Sequence, residues 1–167
     1  MNLVTQNGIN FGIPKQFSQD EVIWTWRAPK KEALRDPRLG GTNRQWVMRP
    51  NIILHQRKVK EDSSLEDISA QQYRELVNSI EDLSDLTPQD FQFTDGQIGI
   101  LFDYVFSASS GSSFQIQQLQ AIRLDTQQLT TLTYTIGASQ LTEQKRKEIL
   151  HCLASMSIQE TLLKGAA

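Results

Sequence analysis

Apolar positions change period along the chain, and the change predicts the elements. Between Phe91 and Ile136 they largely alternate with polar residues, in runs over 91–94, 97–106, 114–124 and 129–136. Alternation of period 2 is that of strands whose two faces differ. The joints between the runs are short and polar. Asp95-Gly96 predicts a tight primed hairpin turn with positive φ at both central positions. Residues 107–113 read as a Ser/Gly loop, and 125–128 as a short polar turn. None of these joints is long enough for a parallel crossover, so this half is an antiparallel meander.

Upstream, Ile9, Phe11 and Ile13 alternate until Pro14 ends the run. Residues 21–27 form a second strand, with Val22, Trp24 and Trp26 on one side and Ile23 on the other. Residues 52–59 form a third, after Pro50. Between them, Pro29, Pro37 and Gly40-Gly41 are expected to exclude regular structure over 28–49.

Two segments switch to a helical period. Ser64, with Asp67 three residues on, predicts a capped helix start; Leu65, Ile68, Leu76, Ile80 and Leu83 share one face with Val77 at its margin. A last helix begins near Thr142 and turns Ile149, Leu150, Leu153 and Met156 to one side; residues 161–167 are expected to fray. The order β-β-β-α-β-β-β-β-α is α+β: an antiparallel sheet of about six to seven strands flanked by two main helices.

The alternation also sorts the sheet's faces. Ile98, Ile100, Phe102, Tyr104 and Phe106 share one, and Phe114, Ile116, Ile122, Leu124, Leu132, Tyr134 and Ile136 are assigned to it as the core under the helices. The opposite face is expected to be open and mixed. Leu101, Val105, Gln117, Leu119, Ala121, Thr131 and Thr133 are the candidate partner-binding residues there, as a groove for an apolar peptide or a second subunit. On that reading Leu119→Asp or Val105→Asp abolishes binding without unfolding.

Composition adds bounds. The 167 residues suit one domain spanning 1–167, with a core over about 8–158. Cys152 is the single cysteine, so no internal disulfide forms. Residues 1–7 lack the basic and apolar regions of a secretory signal. No apolar run approaches the roughly 20 residues that span a bilayer. A cytoplasmic protein without a stable membrane anchor is expected.

Catalytic signals are sparse. There is no phosphate-binding or dinucleotide glycine loop and no zinc-type His-Glu pair. His55 and His151 read as structural or solvated. Cys152 beside His151 does not make a nucleophile, because adjacent helical residues do not face each other. Asp103, the lone acid within its strand, lacks a second catalytic group. The chain is expected to be non-catalytic, with no cofactor or metal.

The segment from Arg27 to Arg49 holds seven basic residues against Glu32 and Asp36, a local charge of +5 that leaves −7 for the rest, given a net −2. Arg35, Arg38, Arg44 and Trp46 form an alternative partner-binding set, suited to an acidic surface. Only one aromatic residue interleaves these charges, so nucleic acid is not the expected partner.

The opening Ile9-Asn10-Phe11-Gly12-Ile13-Pro14 with Phe17, then Val22-Ile23-Trp24-Thr25-Trp26, resembles the start of DcrB-like domains. Pro50-Asn51-Ile52-Ile53-Leu54-His55-Gln56-Arg57 with Ser64-Leu65-Glu66 is similar to their next block. Phe102-Asp103-Tyr104-Val105-Phe106, Leu132-Thr133-Tyr134-Thr135 and Leu153-Ala154-Ser155-Met156 continue the likeness over about residues 8–158. The resemblance implies the fold shared by DcrB, PsbP and the Ran-binding Mog protein. Within that group the chain looks most like Eag-type adaptor chaperones of type VI secretion. Those are non-catalytic dimers that hold apolar, transmembrane-like helical segments of a secreted effector protein in a sheet groove. The alternative implied is a Mog-like regulatory module that grips a folded protein, here through the basic loop. The loop over 28–49 is longer than the usual connection in that group.

Overall fold

The computed structural model describes residues 2–6, 9–15, 21–35, 46–108 and 114–158. Arg38, Arg44 and the tail 161–167 lie outside the described residues. Among the described residues, ten strands and two α-helices follow in order: β1 (Asn2–Gln6), β2 (Ile9–Ile13), β3 (Glu21–Arg27), β4 (Leu34–Arg35), β5 (Trp46–Met48), β6 (Asn51–Lys58), α1 (Leu65–Ser79), β7 (Gln89–Gln92), β8 (Ile98–Ser107), β9 (Gln115–Asp125), β10 (Gln128–Gly137) and α2 (Glu143–Ala154). The class is α+β. Six strands form one antiparallel sheet in the order β3-β6-β10-β9-β8-β7, and β1-β2 and β4-β5 form separate pairs.

The joints set the meander. Between β7 and β8 the loop closes with Phe93 N–H donating to Gln97 O at 2.9 Å and Gly96 N–H to Phe93 O at 2.9 Å. Within this turn only Gly96 has positive φ, at 89°. The turn is thus a three-residue loop with a glycine bulge, not the expected primed dipeptide. Between β9 and β10, Thr126 carries the strain at φ 56°.

Both helix starts follow their caps. Ser64 Oγ accepts from Asp67 N–H at 3.1 Å, and Thr142 Oγ1 accepts from Lys145 N–H at 3.1 Å. A further expectation fails between β3 and β6. Residues 30–32 form a 3₁₀ turn and Leu34–Arg35 pairs with Trp46–Met48, so part of the basic segment is regular. Ala33 and Leu34 are buried.

The helices lie on opposite faces of the sheet. Under α1, Leu76 packs with Phe102, Tyr104, Ile122 and Leu129. Under α2, Ile149 and Leu153 pack with Phe93, Leu101, Leu119, Ala121 and Ile136. The expectation of one core face and one open face is therefore corrected. Strand register gives the reason: Leu132 faces Ala121 and Tyr134 faces Leu119, whereas Thr131 faces Ile122 and Thr133 faces Gln120. An offset of one residue between neighbouring strands moves every side chain to the other face. Leu132, Tyr134 and Ile136 thus join the Leu101 side.

Candidate functional site

The seven residues expected to form one groove are divided by this register. Leu101, Leu119 and Ala121 are 5%, 0% and 0% exposed beneath α2. Gln117 Nε2 donates to Asp103, which also binds Arg146 of α2. Val105 lies on the same face but toward the far end, bridged through its backbone to Ser84. Thr131 and Thr133 lie on the α1 face, where Thr133 Oγ1 accepts from Gln120 Nε2 at 3.1 Å. Of the alternative set, Arg35 and Trp46 face each other in the β4-β5 register.

Among the described residues, the part of the sheet that neither helix packs over is the β3-β6 end. Both helices pack over β8, β9 and β10, so two rungs on the α2 face run from core to solvent. One rung is Leu119–Tyr134–Ile52–Trp26 and the other Ala121–Leu132–Leu54–Trp24. Their outer members form an apolar shelf. Trp24, Trp26 and Leu54 line a concavity of about 440 Å³ with Thr25. Trp26, Ile52, Tyr134 and Pro50 line an adjoining one of about 190 Å³. Trp26 is 53% exposed. Burial raises the Tyr134 hydroxyl above its ordinary pKa. The shelf's upper lip is fixed by Arg49, whose guanidinium donates to Ala28 O at 2.6 and 2.9 Å.

The opposite face of the same end carries a cleft with mostly polar walls. This cleft of about 440 Å³ lies between α1 and the sheet, with Glu21, His55, Arg57, Gln72 and Thr131 among its walls. His55 Nε2 is paired with Glu21 across β6 and β3. Gln72 Nε2 donates to Gln120 Oε1 at 3.1 Å. Side-chain amides of β9 and α1 are therefore hydrogen-bonded around this cleft. Away from this cleft, in β8, Tyr104 donates its hydroxyl to Gln118 Oε1 at 2.6 Å, and burial pushes its pKa up to about 12.

The catalytic candidates do not assemble. Asp103 meets Arg146 and Gln117, not a histidine. Burial raises the Cys152 pKa, which disfavours the thiolate. Among the described residues, no group of three or more His, Cys, Asp or Glu is placed to hold a metal. No helix among them is long and apolar enough to cross a membrane.

Sequence reasoning placed Trp24 and Trp26 on one side of a strand but not at an exposed edge. Their i, i+2 spacing was the available signal. Chain order gives no hint that, among the described residues, β3 pairs only with β6.

No family model matches the chain, and no curated protein does. Among solved structures, its fold is similar to that of PA94 from Pseudomonas aeruginosa, a protein of unknown function with a suggested regulatory role. The two share 15% identity and a TM-score of 0.63, over 95% of this chain and 97% of that one. At that identity the likeness is one of fold.

Proposed function

We propose that the protein is a non-catalytic cytoplasmic adaptor chaperone that shields an apolar, transmembrane-like helical segment of a type VI secretion effector. The reading joins the sequence resemblance to one observation: two tryptophans on the same face of an edge strand, continuous with the core but beyond the reach of either helix. An apolar helix in water exposes surface that aggregates. Laying it along Trp24, Trp26, Leu54 and Ile52 removes that surface from water, at about 2.5 kcal/mol per 100 Å² of apolar area. The partner-binding residues proposed here replace Leu101, Leu119 and Ala121, which are spent in the core.

Co-expression with a candidate effector's apolar segment, followed by pull-down, tests the reading. The wild type keeps the segment soluble and bound. Trp26→Asp, at a half-exposed position, keeps the fold and loses the segment. A folded Trp26→Asp and Leu54→Asp double variant that binds as well as wild type refutes it.

A further inference from the structure

The polar cleft beneath α1 holds charged groups that have no ion-pair partner among the described residues. We propose that it binds a small amino-carboxylate zwitterion of the kind a free amino acid presents. A helix laid on a sheet ordinarily fills the space between them with apolar side chains. Over β8 and β9, α1 does so: Leu76 packs with Phe102, Tyr104 and Ile122. On the side toward β6 and β3, Gln71, Gln72 and Glu75 take the place of that stripe, and a cleft of about 440 Å³ stays open. That volume is within the range of small-molecule sites.

The two walls differ in character. The sheet wall offers donors. Arg57 stands opposite Glu21 in the β3-β6 register, yet the Glu21 carboxylate is taken by His55. The Arg57 guanidinium and the Thr131 hydroxyl therefore have no partner among the described residues. The helix wall offers acceptors. Gln71 donates its amide to Glu75 Oε1 at 2.9 Å, and Gln72 donates to Gln120 Oε1 at 3.1 Å. Those bonds leave the Gln71 and Gln72 amide oxygens and Glu75 Oε2 open. Ile68, Ile122 and Leu129 add apolar surface between the walls.

A ligand that matches both walls carries an anion at one end and an N–H-rich cation at the other. Its carboxylate takes the Arg57 guanidinium through two parallel N–H···O bonds. Its ammonium donates to Glu75 and the glutamine oxygens. A simple anion satisfies only the sheet wall, and a simple amine only the helix wall. Glu21 and Glu75 both line the cleft, so a multiply charged anion meets like charge there. The site lies across the sheet from the tryptophan shelf and is read without an effector, so it stands or falls separately from the chaperone reading.

The test is isothermal titration calorimetry and two-dimensional amide NMR on the full chain. The probes are the free L-amino acids, acetate and methylammonium. An amino acid is expected to bind once per chain and to shift the backbone amides of Arg57, Thr131 and Gln72. Acetate and methylammonium each bind at least about 10-fold more weakly, having lost one charge-assisted contact. Arg57→Gln and Glu75→Gln each weaken binding roughly 10- to 100-fold. Glu75 is exposed on α1, so its variant keeps the wild-type circular dichroism. No binding by any amino acid up to about 10 mM overturns the proposal. So do shifts confined to other parts of the chain, acetate binding as tightly as the amino acid, or a folded Glu75→Gln variant with wild-type affinity.

Discussion

Arg123→Met is expected to be among the most damaging single changes available. Arg123 has a side chain only 2% exposed and lies on the α2 face of β9. Its Nε and NH2 bind the two oxygens of Asp125 at 2.7 and 2.8 Å. A third bond reaches Asp95 at 2.9 Å, and NH1 donates to Met156 O at 2.7 Å. The guanidinium also lies 4.9 Å from the centre of the Phe93 ring. One side chain therefore ties together the β7-β8 turn, the end of β9 and the chain leaving α2. Removing one partner of a buried ion pair costs about 3–5 kcal/mol. The side chains of Asp125 and Asp95 are 14% and 33% exposed, so water recovers part of the loss. A cost of about 2–4 kcal/mol follows, or a Tm lower by roughly 5–15 °C for a chain of this size. Arg123→Lys keeps the charge but not the fork, and falls between. Urea unfolding monitored by far-UV circular dichroism measures the difference. A loss below about 1 kcal/mol for Arg123→Met would refute the view that this network locks the three segments together.

The same network sets an acid limit. The Arg123 hydrogen bond holds the Asp95 pKa below the ordinary 3.8. A carboxyl depressed by folding contributes stability above its unfolded pKa and loses it as pH falls through the folded one. Melting from pH 7 to pH 3 should thus fall less steeply in Arg123→Met than in wild type over the acid end. Thr126→Gly should stabilise by up to about 1 kcal/mol, since it relieves the φ of 56° at a β-branched residue; chemical denaturation checks the sign. Gly99→Ala should destabilise by about 1–3 kcal/mol or more, because its Cβ would stand 2.2 Å from Ile122 O and 2.6 Å from the Phe93 ring. Leu119→Asp should prevent folding rather than merely release a partner, because Leu119 is wholly buried under α2; soluble yield and circular dichroism decide it.

The local elements were legible because each rests on chemistry carried by neighbouring residues. Alternation located β3 at Glu21–Arg27, and Ser64 and Thr142 marked both helix starts. β1 escaped notice because Leu3 and Val4 are adjacent and give no alternation. The short β4-β5 pair lay in a stretch whose prolines and glycines argued against strands. The candidate groove failed on register. Thr131 and Leu119 sit in separate strands, and only the pairing of Tyr134 with Leu119 fixes which face each takes. Strand order is equally non-local: the sequence marks β3 as amphipathic but not as an edge. Asp103 looked isolated because Arg146, its partner, is 43 residues away.

The crowding of both helices over β8, β9 and β10 has an optical consequence. The chain has three tryptophans, and two of them, Trp24 and Trp26, lie in β3, away from those helices. Intrinsic emission is therefore a local reporter. It should respond when the shelf is covered or when β3 peels from β6, while the helix-covered core remains silent in that channel. Denaturation followed by tryptophan emission and by far-UV circular dichroism need not coincide, and a gap between the two curves would measure how independently the sheet's outer end opens.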